Sequence, residues 1–273
     1  MNIDWVMTDH PSWLVADDGS TYRAVRNGDA VWVLTVSRAG GRPAVGARRV
    51  RGDTGEPQLD IVDPACLTGP KTMVAGLREL GTVARWRNPD LWDALATSVV
   101  RQVIRAGQAR KLYRAFCRAH GEPVDAGVGR TWLFPSPTVV LDLPASEFAT
   151  LGLAFKARPL RAAAEAYLEF GAKWAELDPR ALLVELQTVP RIGPWTAGAT
   201  VADLTNDYAL YPHADLAVRT WAKHLAPRRT WPDSETEFAN TWARLAGDQL
   251  SEWTLLTLAW GVHHASTTGA AAL

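Results

Sequence analysis

The stretch Leu186–Leu204, LQTVPRIGPWTAGATVADL, decides how the rest of the chain is understood. An apolar helix-like run stops at Val189-Pro190, and another starts directly after Gly193-Pro194. Asp178 and Pro179 provide an N-cap and a first-turn proline for the first helix, which is expected to run to Thr188. Pro194 opens the second helix without losing a helical hydrogen bond. Between them lies a tight hairpin in which Gly193 accommodates positive φ or close backbone approach. Such a turn leaves the first N–H groups of the second helix unpaired, at the positive end of its dipole. That arrangement binds phosphate without a basic side chain. An ordinary helical hairpin in a packed core is the competing explanation.

Outward from this stretch, the texture is helical from Asn88 onward, with apolar residues at helical spacing and Gly107 and Gly121 as expected breaks. The first eighty or so residues differ. Their β-branched and aromatic runs are split by Asn27-Gly28 and Gly40-Gly41, which punctuate hairpins. A helix is expected within PKTMVAGLRELG. The expected organisation is a β-rich (α+β) N-terminal domain over 1–85 and an all-helical body over 86–273, with the hairpin at 186–200. The fold class is mainly α.

Composition excludes several classes. Of 273 residues, 47% are hydrophobic and 21% charged, ordinary values for a soluble globular protein. No apolar run approaches the ~20 residues that span a bilayer, and the N-terminus is too acidic for a signal peptide. No membrane partner and a cytoplasmic location are expected. Cys66 and Cys117 are the two cysteines, in no ligand-like spacing, so neither a disulfide framework nor an iron–sulfur site is expected. His263 and His264 are adjacent, about 100° apart on a helix, and do not chelate as an i, i+4 pair. The formal net charge is zero. A basic run from Arg101 to Arg118 still leaves phosphate binding open, although on charge alone solvated helix faces explain it better.

LQTVPRIGPWTA followed by YPHADLAVRTWA resembles the helix-hairpin-helix DNA glycosylase superfamily, in which such a hairpin precedes a catalytic Asp at a helix start. LWDALATSVVRQVIRAGQARKLYRAF is similar to the family's helix pair with a Gln-containing loop, and FPSPTVVLDLPASEFATLGLAFKARPLRAAAEAYL to its following segment. The resemblance covers roughly residues 86–265. The β-rich front resembles the extra domain of the 3-methyladenine DNA glycosylase II branch.

The resemblance implies base excision repair of duplex DNA carrying a damaged base, by base flipping, in a chain expected to be a monomer. Cleaving the N-glycosidic bond builds positive charge on the deoxyribose, which a fixed carboxylate stabilises. Asp215 matches that carboxylate; from position alone a helix N-cap is the commoner role for an Asp there. Trp195 stands where strand-cleaving relatives carry a Schiff-base lysine, which implies a monofunctional enzyme without lyase activity. Trp195 and Trp260 would line the base pocket, where an aromatic face attracts a cationic alkylated purine. Ala199 replaces an aromatic of the alkylpurine branch, implying a wider pocket for bulkier adducts.

The expected DNA contacts are Gln102, Val103, Val189, Arg191, Gly193 and Thr196, with Val103 filling the gap left by the extruded base. The hairpin carbonyls of Gln187 and Val189 are expected to hold a structural Na or K ion; no other cofactor is implied. Arg191 replaces the family's first hairpin glycine, so either that position needs no positive φ or the loop is altered. Arg101 replaces the first of two glutamines. An inactive helix-hairpin-helix DNA-binding protein is the alternative. An adenine-mismatch enzyme fits less well, because such relatives commonly carry four cluster-binding cysteines.

Overall fold

The computed structural model describes residues 3–268; the alanine-rich tail, 269–273, lies outside the described residues. The N-terminal part begins with β1 (Trp5–Val6), β2 (Leu14–Val15), β3 (Thr21–Asn27), β4 (Ala30–Ala39), β5 (Arg42–Arg51) and β6 (Leu59–Val62). It continues with α1 (Lys71–Arg78) and β7 (Val83–Trp86). Strands β2-β3-β4-β5 form an antiparallel sheet, and β1-β7-β6 a smaller mixed one. The two long hairpins fall where the glycines predict. Asn27 pairs with Ala30 across Gly28, and Ala39 pairs with Arg42 across Gly40 and Gly41, both at positive φ.

The body follows: α2 (Leu91–Arg101), α3 (Ala106–His120), β8 (Pro123–Asp125), β9 (Arg130–Trp132), α4 (Pro137–Asp142), α5 (Ala145–Thr150) and α6 (Ala157–Ala175). It closes with α7 (Pro179–Leu186), α8 (Pro194–Thr205), α9 (Leu216–Leu225), α10 (Glu235–Ala246) and α11 (Leu250–Thr268). Among the described residues no helix is long and apolar enough to cross a membrane.

Three expectations need correction. The body is not all-helical, because β8 and β9 pair as a hairpin. Val124, Ala126 and Leu133 then pack on Tyr22, Ala24, Val31 and Val33 of the larger sheet, which gives that sheet face an apolar cover. Gly107 is no break, since it lies in the first turn of α3. The chain turns instead at residues 102–105. Finally, α7 ends at Leu186, short of Thr188, because Gln187, Thr188 and Val189 donate to residues three back and tighten the exit.

Two cores support the hairpin from opposite sides. One joins α2, α3, α6 and α7 and includes Phe116, Trp174, Leu186, Val189 and Ile192. The other packs Trp242, Trp253 and Val218 against Met73 and Leu77 of α1, so α1 shares the apolar interior of α9–α11. Helix α8 contributes to both, with Ala197 and Val201 facing one and Ala199 and Ala202 the other. A helix buried on two sides explains why its sequence is apolar all round rather than amphipathic.

Candidate active site

Asp178 caps α7, its side chain accepting from the N–H groups of Arg180 (3.0 Å) and Ala181 (3.1 Å). The chain then turns through Val189–Gly193 into α8, whose N-terminus has no side-chain cap. Its first N–H groups therefore stay available to a ligand. Gly193 does not need positive φ. It is extended (φ −91°), exposed, and a Cβ there would meet nothing within 4 Å, so the bare backbone is open to close approach from outside. The left-handed residue of the turn is Arg191, at φ 71°. The position that carries glycine in the family pattern thus keeps the glycine conformation with an arginine, at a cost of roughly 1–2 kcal/mol.

Asp215 stands at the N-cap of α9 and does not cap it. Its carboxylate turns back toward the hairpin. Oδ1 accepts from the indole N–H of Trp195 at 3.0 Å, and Oδ2 from the phenol of Tyr211 at 2.9 Å. Trp195 is on the first turn of α8, directly after Pro194. The tight turn therefore puts an indole donor where it can fix a carboxylate carried by the next helix. Burial and the neighbouring Asp215 charge push the Tyr211 phenol well above its usual range, so it stays protonated and donates. Asp215 itself is half-buried, so one side remains open to a ligand. Tyr211 was not anticipated; the available signal was an aromatic four residues before the aspartate.

Gln102 ends α2 and ties it to the hairpin, donating to Thr196 Oγ1 (2.7 Å) and to the Arg191 carbonyl (3.2 Å). Val103 follows at φ 59° with its side chain 100% exposed. A β-branched residue in the left-handed region is a genuine outlier, and such strain gathers at functional positions. Phe155, also missed from sequence, is a second exposed apolar residue close by: its ring lies 4.9 Å from the Lys156 ammonium, which donates to the Gln102 carbonyl.

Other expected residues fall elsewhere. Val189 and Thr196 are buried, the first in the core and the second under Gln102, so they can meet a strand only through their backbone. Ala199 is packed in the interior with Tyr208 and Tyr211 rather than at an opening. Trp260 stacks on His264 (4.6 Å) and meets Trp221 edge-on (6.2 Å), half-buried against the same apolar cluster as Trp195 and Tyr211. His263 lies edge-on to Trp5, and among the described residues no group of three or more His, Cys, Asp or Glu could hold a metal ion. The Val189 carbonyl already accepts from Ile192 (3.0 Å) and keeps one lone pair, while that of Gln187 receives no backbone N–H. Part of the basic run has internal work: Arg114 donates to the carbonyls of Pro11 and Trp13, and Arg118 covers Trp132.

No family model matches the chain, and no curated protein matches it in sequence. Solved structures do match in fold. MBOgg1 in complex with a low-affinity DNA ligand superposes with a TM-score of 0.70 at 16% identity, covering 94% of this chain and 90% of that one. The apo form of Clostridium acetobutylicum 8-oxoguanine glycosylase/lyase gives 0.70 at 14% identity, covering 93% and 89%. The 3-methyladenine DNA glycosylase from Archaeoglobus fulgidus gives 0.65 at 18% identity, covering 91% and 88%. The chain has the fold of these DNA glycosylase structures.

Proposed function

We propose that this chain is a monofunctional DNA glycosylase that hydrolyses the N-glycosidic bond of alkylated or otherwise damaged purines in duplex DNA. One observation carries the proposal. The Asp215 carboxylate leaves its capping position and is held by Trp195 and Tyr211 beside the hairpin. Two neutral donors orient this carboxylate without a cation paired to it, which suits stabilising a sugar cation. The uncapped N-terminus of α8 would take a backbone phosphate, and the Gln187 and Val189 carbonyls, which keep acceptor capacity, would be the ligands for a monovalent cation. Val103 would enter the space left by the extruded nucleotide.

Trp195 supplies a hydrogen bond and has no nucleophilic amine, which supports hydrolysis without strand cleavage. Its ring, half-buried at the same site, offers a face to a cationic base. A wider pocket for bulky adducts is part of the proposal but does not rest on an opening at Ala199. The test is to incubate the protein with methylated and bulky-adducted duplexes and identify any free base by mass spectrometry. Borohydride trapping alongside should yield no covalent complex. No released base from any duplex, with DNA binding retained, would leave a helix-hairpin-helix binding protein.

Val103 gives an independent check. Val103→Gly should leave thermal stability unchanged or raise it. Relief of about 1–2 kcal/mol of left-handed strain offsets glycine's extra unfolded-state entropy of about 0.5–1 kcal/mol. Base release from duplex DNA should nevertheless fall about tenfold, a part of the few kcal/mol that extrusion requires. A stable, fully active glycine variant would remove Val103 from the proposal.

A further inference from the structure

Among the described residues, three that are not glycine hold positive φ: Val103, Arg191 and Asn206. The first two belong to different elements and are joined through one residue. The Gln102 side chain donates to the Arg191 carbonyl, and Gln102 directly precedes Val103. The free end of this connection is closed by Lys156, on the 3₁₀ turn that leads into α6. Its Nζ donates to the Gln102 carbonyl at 2.6 Å, across a sequence separation of 54 residues.

Lys156 is only 2% exposed and makes no ion pair among the described residues, so an ammonium has been buried for one carbonyl and the Phe155 ring. Burial draws its pKa down to about 8, still above neutrality, so the charge persists there. An apolar side chain would fill the same space without that desolvation. A charge-assisted bond is stronger and shorter than a neutral one, and here it fixes the peptide next to a strained residue.

We propose that Lys156 is a positioning residue that, through Gln102, locks the Val103 turn and the Arg191 hairpin into one rigid unit, so that duplex insertion and backbone seating occur in fixed register. This rests on the proposal that Val103 enters the duplex. Chemistry at Asp215 does not need the lock when the base is already unstacked. Lys156 should therefore matter for double-stranded substrate and little for single-stranded substrate.

The test compares wild type, Lys156→Met and Lys156→Gln on one lesion in duplex and in single-stranded DNA. 2-Aminopurine beside the lesion reports unstacking on binding. Lys156→Met should lose about tenfold or more in duplex base release, change by less than about twofold on single strands, and lose the fluorescence rise. Lys156→Gln, which keeps a neutral donor, should fall between, and it carries the test alone if the Met variant does not fold. Equal loss on both substrates would make Lys156 merely structural and overturn the proposal. If wild type releases base and the variants unstack as it does, the lock is refuted while the glycosylase stands. If wild type releases none yet unstacks the duplex in a Lys156-dependent way, the glycosylase fails and the lock stands. If wild type does neither, both fall.

Discussion

Asp215→Asn is expected to lower single-turnover base release by about 10²–10³-fold or more, the range for removing a preorganised electrostatic group at a reacting centre. The substitution is isosteric, so Oδ1 can keep the Trp195 indole bond. At the second position an amide N–H₂ meets the Tyr211 hydroxyl, which can rotate to accept in place of donating. Because the aspartate does not cap α9, no helix-capping energy is lost with the charge. Thermal stability should therefore stay close to wild type. Duplex affinity should hold or rise, since a negative charge is withdrawn from a polyanion. Free base quantified under single-turnover conditions, with anisotropy measured on the same duplex, separates these effects. Equal release by variant and wild type would show that Asp215 is not the reacting carboxylate. Tyr211→Phe is a milder companion: it removes one of two donors, and release should fall about tenfold, the lower end of the weight of a hydrogen bond to a charged group.

What could be read from the sequence was what local chemistry decides. Pro179 and Pro194 fix φ wherever the tertiary fold puts them, so the two helix starts and the turn between them were legible, as were the hairpins at Gly28 and Gly40. Position marked Asp215 as a helix start but could not tell a cap from a site. That distinction depends on the approach of Trp195 and Tyr211, set by how α8 and α9 pack. Nothing local in the sequence marks Lys156, because its burial beside the Gln102 carbonyl is a product of tertiary packing. The β8–β9 hairpin was missed for a similar reason. Its strands are three residues each and are stabilised by the sheet they cover rather than by their own pattern. The stacking of Trp260 on His264 was not legible either, since it depends on how one turn of α11 packs rather than on any motif.

The second large effect concerns what holds α8 in place. Arg85 on β7 is 4% exposed and contacts Asp9 (3.0 and 3.2 Å), Asp203 on α8, and Asn206, the left-handed C-cap of α8. It also covers the Tyr208 ring at 5.5 Å. One guanidinium therefore fastens the N-terminal sheet to the far end of the helix that carries Trp195. Burial alone would raise the Asp9 and Asp203 carboxyls, but the Arg85 charge outweighs it and holds both below the usual carboxylate value. Arg85→Met fills similar space and leaves two buried carboxylates without their cation. The expected loss is about 3–5 kcal/mol, or roughly 10 °C in melting temperature for a chain of this size. The sign with pH follows from linkage. In wild type the depressed carboxyls contribute stability that is present above the unfolded value near 4 and is lost as pH falls through the folded values. In the variant burial is opposed only by Arg101 at Asp9 and by Arg23 and the Asn88 amide at Asp203, so the carboxyls rise, and the penalty, present at neutral pH, is relieved as acid protonates them. The stability gap measured by urea unfolding should therefore narrow from pH 7 toward pH 4. A gap that stayed constant across that range would mean that Arg85 acts by packing against Tyr208, and that the two aspartates are neutral in the native fold.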